Sequence, residues 1–119
     1  MEAALSARVM AKRGDVYDLL AQIRERPAMF LEDHSLVELE KMLQGYEACL
    51  WAHDLEEDPE GTPFHTAVFS DWLAETEGWA TDCGFAHAFL HEAGDPKAAF
   101  ARFFELLDRY RFQDVDGAS

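Results

Sequence analysis

The chain is short of several features that would announce an activity. Its two cysteines, Cys49 and Cys83, stand alone, without CxxC spacing or any other framework, which argues against zinc-ribbon and disulfide-scaffold classes. Each falls in a helical apolar pattern, so both are expected to be reduced, buried thiols. The seven glycines are isolated, and no glycine-rich loop is present to cradle a phosphate. No apolar run has the length of a signal-peptide core or a membrane span, and the expected compartment is the cytoplasm. Period-two alternation, internal repeats and low-complexity linkers are also missing, which leaves an all-α fold as the expectation.

Positive charge is scarce as well. Ten Lys plus Arg stand against 24 Asp plus Glu, a formal charge of -14. That excludes the phosphate-neutralising surface on which most nucleic-acid binders depend. It serves solubility, and it would also steer encounter with a basic partner. The imbalance is concentrated: Lys41 and Lys97 bracket a run without a single Lys or Arg. Within it lie Glu47, Asp54, Glu56, Glu57, Asp58, Glu60, Asp71, Glu75, Glu77, Asp82, Glu92 and Asp95. Such asymmetry suggests an acidic face rather than a uniform acidic coat.

What is present is apolar surface arranged with helical period. At 119 residues, 49% of them apolar and 13% aromatic, the chain suits one domain with a core of its own. Residues 1–14 are expected to be a flexible leader, 15–112 a single helical domain, and 113–119 a frayed tail. Asp15 offers an N-cap with Asp18 at the third helical position, and Val16, Leu19, Leu20 and Ile23 follow on one face. Pro27 should stop that helix near Arg26. "SLVE" reads as a capping box, Ser35 with Glu38, opening a helix whose stripe runs Leu36, Leu39, Leu43, Tyr46, Leu50, His53. Gly45 inside it suggests that a helix or ring crosses closely there. Thr62-Pro63 and Asp95-Pro96 read as cap-plus-proline starts. The first would open a helix with Phe64, Val68, Phe69, Trp72 and Leu73 inward. The second would open one with Phe100, Phe103, Phe104, Leu107 and Tyr110 inward. Between them a segment from about Trp79 to Glu92 would set Trp79, Cys83, Ala86 and Leu90 on one stripe. About five helices in a compact, largely antiparallel bundle result.

Catalytic signals are weak. His87 and His91 are four apart in "HAFLHE" and could face one metal, but Ala88 stands where the zinc-protease pattern requires glutamate. His53 beside Asp54, and His65, could serve as bases, yet no GxSxG elbow or triad partner is visible, and helix-end or core-rim histidines explain them as well. Glu56, Glu57 and Asp58 lie in a turn-rich loop, where solvated charge is the ordinary outcome. Trp51, Trp72 and Trp79 are expected mainly in the core. Trp72, between Asp71 and Glu75, would also suit an interface anchor ringed by carboxylates.

The run "RERPAMFLEDHSLVELEKMLQGYE", with "FSDWLAETEGWA" and "AAFARFFELLDRY" later, resembles small bacterial proteins of an Arg-Pro-x-Met-Tyr/Phe-Leu, Ser-Leu, Gly-Tyr type. The resemblance covers most of residues 15 to 111. Small acidic proteins of this kind are similar to immunity proteins, which neutralise toxins in interbacterial competition. It implies a fold more than a site: Arg26, Pro27, Met29, Phe30, Leu31, Gly45 and Tyr46 read as structural, with Met29, Phe30 and Leu31 plugging two helices together. Glu32 departs from the pattern, which has glycine there. The resulting expectation is a cytosolic, non-enzymatic protein without a cofactor, binding a cognate toxin with a basic surface. Its contacts would be Asp54, Glu56, Glu57, Asp58, Glu60, Asp71, Trp72, Glu75 and Glu77. The alternatives are a metal-dependent hydrolase using His87 and His91, and a structural or regulatory homodimer.

Overall fold

A computed structural model describes residues 15–55 and 64–118, with side chains to 112. Among the described residues there are six helices and no strand: α1 Val16–Glu25, α2 Pro27–Phe30, α3 Leu36–Ala52, α4 Thr66–Glu77, α5 Phe85–Ala93 and α6 Pro96–Ala118.

The start of α1 is made locally. Asp15 Oδ1 accepts from the Asp18 amide at 3.1 Å while Asp18 Oδ2 accepts from the Asp15 amide at 2.9 Å, a reciprocal capping box. Pro27 ends α1 as expected but also begins a further helical turn, α2, because its fixed φ suits a first helical position. The plug expected from Met29, Phe30 and Leu31 is therefore only partial. Leu31 is buried and Phe30 packs against the core, whereas Met29 lies on the outer side of the turn, 40% exposed. The chain then reverses through Asp33 and His34, both with positive φ, at 49° and 58°. Short polar side chains tolerate that region, and Glu32 itself is not in it, so the turn makes no demand for glycine at 32.

Helix α3 starts at Ser35, whose Oγ accepts from the Glu38 amide at 3.2 Å. The other half of the expected box is redirected: Glu38 Oε1 accepts from the Glu32 amide at 3.3 Å and ties the turn to the helix. Leu36, Leu39, Glu40 and Leu43 are its buried residues. Near Gly45 nothing comes within 4 Å of where a Cβ would be, so the expected close crossing is absent.

The core is aromatic and centres on Phe69. Rings of Phe64, Trp72, Phe85, Phe89, Phe103 and Tyr110 have centroids 5.2 to 6.4 Å from its own, with Phe85, Phe103 and Tyr110 edge-on and Trp72 and Phe89 stacked. Helix α6 supplies the broadest face, with Phe100, Phe103, Phe104, Leu107 and Tyr110 buried as its spacing indicates. It extends to Ala118. Helix α5 packs against α3, α4 and α6.

Three expectations about the middle of the chain need correction. Helix α4 begins at Thr66, with Phe64 buried ahead of it and Val68 on the outer side, 53% exposed; Thr62 and Pro63 lie outside the described residues. The segment from Trp79 is not helical until Phe85, because Gly84 adopts φ 95° and donates its amide to the Thr81 carbonyl, closing a turn. Trp79 reaches the core without the helix, edge-on to Phe89 at 5.0 Å. Both cysteines are exposed free thiols: Cys83 is in that turn, and Cys49 is on the outer side of α3.

Candidate functional site

Glu40 and Glu47 are two turns apart on α3, so both project from one side of the helix. That side faces the starts of α4 and α5. Glu47 Oε2 accepts from the Thr66 amide at 2.8 Å and Oε1 from the Thr66 hydroxyl at 2.9 Å. His65, the N-cap residue of α4, makes no side-chain cap of its own, and its Nδ1 lies 3.8 Å from Glu47 Oε1. One turn-pair earlier, Glu40 Oε1 accepts from the Ala86 amide at 3.2 Å at the start of α5, where Gly84 carries no capping side chain. A helix N-terminus exposes unpaired amides and partial positive charge, so a carboxylate from another element meets both needs. Glu40 is buried, at 8% exposure, and a Cβ on Gly84 would overlap its carboxylate. The bare glycine lets the carboxylate approach.

Between these two caps and the outer side of α3 opens a cleft of about 630 Å³. Glu40, Lys41 and Gln44 form one wall, Thr66, Ser70 and Asp71 the opposite one, and Thr81 to Gly84 with His87 close the end. The α3 wall continues beyond the cleft: Val37, Lys41, Gln44, Ala48 and Trp51 recur at helical spacing along one face, none of them buried. The stripe ends in apolar surface, with Trp51 85% and Leu55 56% exposed.

Of the described residues expected to contact a partner, Trp72 and Glu77 do not share the exposed outer surface of the others. Asp54 is exposed in the turn after α3, at φ 53°. Glu56, Glu57, Asp58 and Glu60 lie outside the described residues. Asp71 opens on the cleft, and Glu75 is exposed on α4. Trp72 turns the other way, stacked on Phe69 at 5.8 Å and edge-on to Tyr110 at 5.3 Å, so it is part of the aromatic core's margin. Glu77 lies between arginines of α6, 3.6 Å from Arg102 and 3.8 Å from Arg109. It belongs to a charge-balanced helix contact. The tryptophan that stands out of the surface is Trp51, and α3's periodicity could have revealed it, since position 51 is off the Leu36, Leu39, Leu43 stripe.

His87 and His91 are both exposed on α5, His87 on the cleft. Among the described residues no group of three or more His, Cys, Asp or Glu side chains is gathered as a metal would require. No helix among them is long and apolar enough to cross a membrane. No family model, curated protein or solved structure matches the chain.

Proposed function

We propose that this protein acts by binding another protein, as an immunity-like inhibitor that neutralises a toxin with a basic surface. The observation that carries the reading is the nearly full exposure of Trp51, with Leu55 four residues on also exposed, inside the stretch between Lys41 and Lys97 that contains no Lys or Arg. An exposed tryptophan costs solubility, and tryptophan is among the residues that dominate binding energy when a partner buries it. Asp54, in the same turn, and Glu75 on α4 would form part of an acidic rim, which favours a cationic partner and speeds its approach. The hydrolase alternative has no comparable support, since His87 and His91 lack a third ligand among the described residues.

The test is capture of partners from the native host by the full chain and by Trp51→Ala. The expected result is one stoichiometric basic protein, which arrests growth when produced alone and is relieved by co-production of the chain. Trp51→Ala should lose at least 2 kcal/mol of affinity for it, as hot-spot tryptophans do, with the thermal midpoint unchanged. Equal capture by the variant, or a captured protein without toxicity, refutes the reading.

A further inference from the structure

Helices α1 and α6 leave a groove between them, on elements other than the one that carries Trp51. Contacts at its two ends set its direction and length. The Arg111 guanidinium lies over the Tyr17 ring, 4.3 Å from the centroid, and the Arg24 guanidinium over the Phe104 ring at 5.3 Å. Tyr17 and Arg24 are seven residues apart on α1, as are Phe104 and Arg111 on α6. The two helices therefore run antiparallel here, and the groove is about 10 Å long. It encloses about 330 Å³. Leu20, Phe104 and Leu107, all buried, form its floor, with Ala21 on the α1 wall. The charges at its rim are not equivalent. Arg24 is engaged by Asp108, Nη1 to Oδ2 at 3.1 Å, and Glu25 beside it is exposed without an ion pair among the described residues. At the other end Arg111 meets no carboxylate among them and rests on the Tyr17 and Phe112 rings. A guanidinium laid on a ring is held through its flat face, which leaves the donors around its edge available to an anion.

We infer that this groove binds a small monocarboxylate with an apolar body, its carboxylate on Arg111 and its body along Leu20, Ala21 and Leu107 toward Phe104. The planar fork of Arg111 matches a carboxylate through two parallel hydrogen bonds. The volume is at the lower end of the range in which small ligands are held, about 300–1,000 Å³, and its apolar floor with a few rim charges is the usual lining of such sites. Both parts of the ligand are required. A chain of net charge -14 repels an anion held by charge alone, and an apolar floor by itself gives no orientation. The far end adds a limit. A second carboxylate reaching it would meet Glu25 and the already paired Asp108, so the groove discriminates against dianions. The site is independent of the toxin-binding function proposed above and stands or falls separately from it.

The experiment titrates the full chain with 3-phenylpropionate, following backbone amides by NMR, beside acetate, the neutral 3-phenylpropanamide and the dianion 1,4-phenylenedipropionate. The first should shift the amides of Ala21, Arg24, Leu107 and Arg111 saturably. Acetate, which lacks the body, and the amide, which lacks the charge, should each bind about tenfold more weakly or not at all. The dianion should also bind more weakly than the monoanion, and Glu25→Gln should narrow that gap. Arg111→Gln, at an exposed position, should weaken 3-phenylpropionate about tenfold while leaving 3-phenylpropanamide unchanged. The ligand series on the unaltered chain decides the matter even if a variant folds poorly. Equal binding of acetate would reduce the groove to a general anion contact, and equal binding of the amide would reduce it to an apolar one; either overturns the assignment. So do full affinity in Arg111→Gln, preference for the dianion, or the absence of saturable shifts along α1 and α6.

Discussion

A methyl group added at Gly45 meets nothing within 4 Å on an exposed turn of α3, whereas one added at Gly84 runs into the Glu40 carboxylate from a backbone at φ 95°. The two substitutions by alanine should therefore have opposite signs. Gly45→Ala removes backbone entropy from the unfolded chain without disturbing a contact and should stabilise by about 0.5–1 kcal/mol. Gly84→Ala forces a left-handed conformation on a residue with a Cβ and displaces a buried carboxylate from the helix it caps; a loss of at least about 2 kcal/mol is expected. Urea denaturation of both variants checks the pair, and a Gly84→Ala protein as stable as its parent would show that Glu40 is not held where the structure places it. Only part of this contrast is legible in the sequence. A glycine in mid-helix invites a close-packing explanation, and the one in "TDCGFAH" weakens the helical pattern there without revealing what approaches it, because neither the empty space at 45 nor the carboxylate at 84 is encoded nearby in the chain.

At the level of elements, α3 organises its neighbours by capping two of them from a distance. The donors at Thr66 and Ala86 are 19 and 46 residues from the carboxylates that receive them. Local start signals were readable where the cap is local. Asp15 with Asp18 begins α1, and Asp95 Oδ2 accepts from the Ala98 amide at 2.9 Å to begin α6 behind Pro96. The starts of α4 and α5 were misplaced for the complementary reason: their caps belong to another helix, and Thr-Pro or Trp-Ala beginnings were the nearest local substitutes. Glu47→Ala should cost about 1–2 kcal/mol by stripping α4 of its N-terminal acceptor. Glu40→Ala should cost about 2–3 kcal/mol, because the Ala86 amide is then left buried without a partner. Native-state hydrogen exchange gives each loss an address. The Thr66 amide should be deprotected selectively by the first substitution and the Ala86 amide by the second, with glutamine restoring part of the protection in each case. Uniform deprotection of both amides by either change would mean that the two caps are not separate.

Across the whole molecule, charge is sorted between faces more sharply than its total of -14 conveys. Apart from Lys41, every described cation lies on α1, at its end, or on α6: Arg24, Arg26, Lys97, Arg102, Arg109 and Arg111. Several are occupied there, Arg24 with Asp108 at 3.1 Å and Arg102 and Arg109 with Glu77. That arrangement was only half legible in the linear order. The basic-free run is visible as such, but Glu77 lies within it and is nonetheless neutralised across the α4–α6 contact, while Trp72 within it turns to the core. Among the described residues, Asp54 after α3, Glu75 on α4, and Asp71 and Asp82 at the cleft make no ion pair. Unpaired surface carboxylates act on approach rather than on residence. Association with the basic partner proposed above should slow about tenfold as salt rises from about 50 mM to 500 mM, with dissociation nearly constant. Replacing Glu56, Glu57 and Asp58 by lysine, as Glu56→Lys, Glu57→Lys and Asp58→Lys together, should slow association at low salt and flatten that dependence. Stopped-flow or surface-capture kinetics across a salt series measures both quantities. Association rates indifferent to salt would leave Trp51 as an apolar contact only and remove electrostatic steering from the account of this protein.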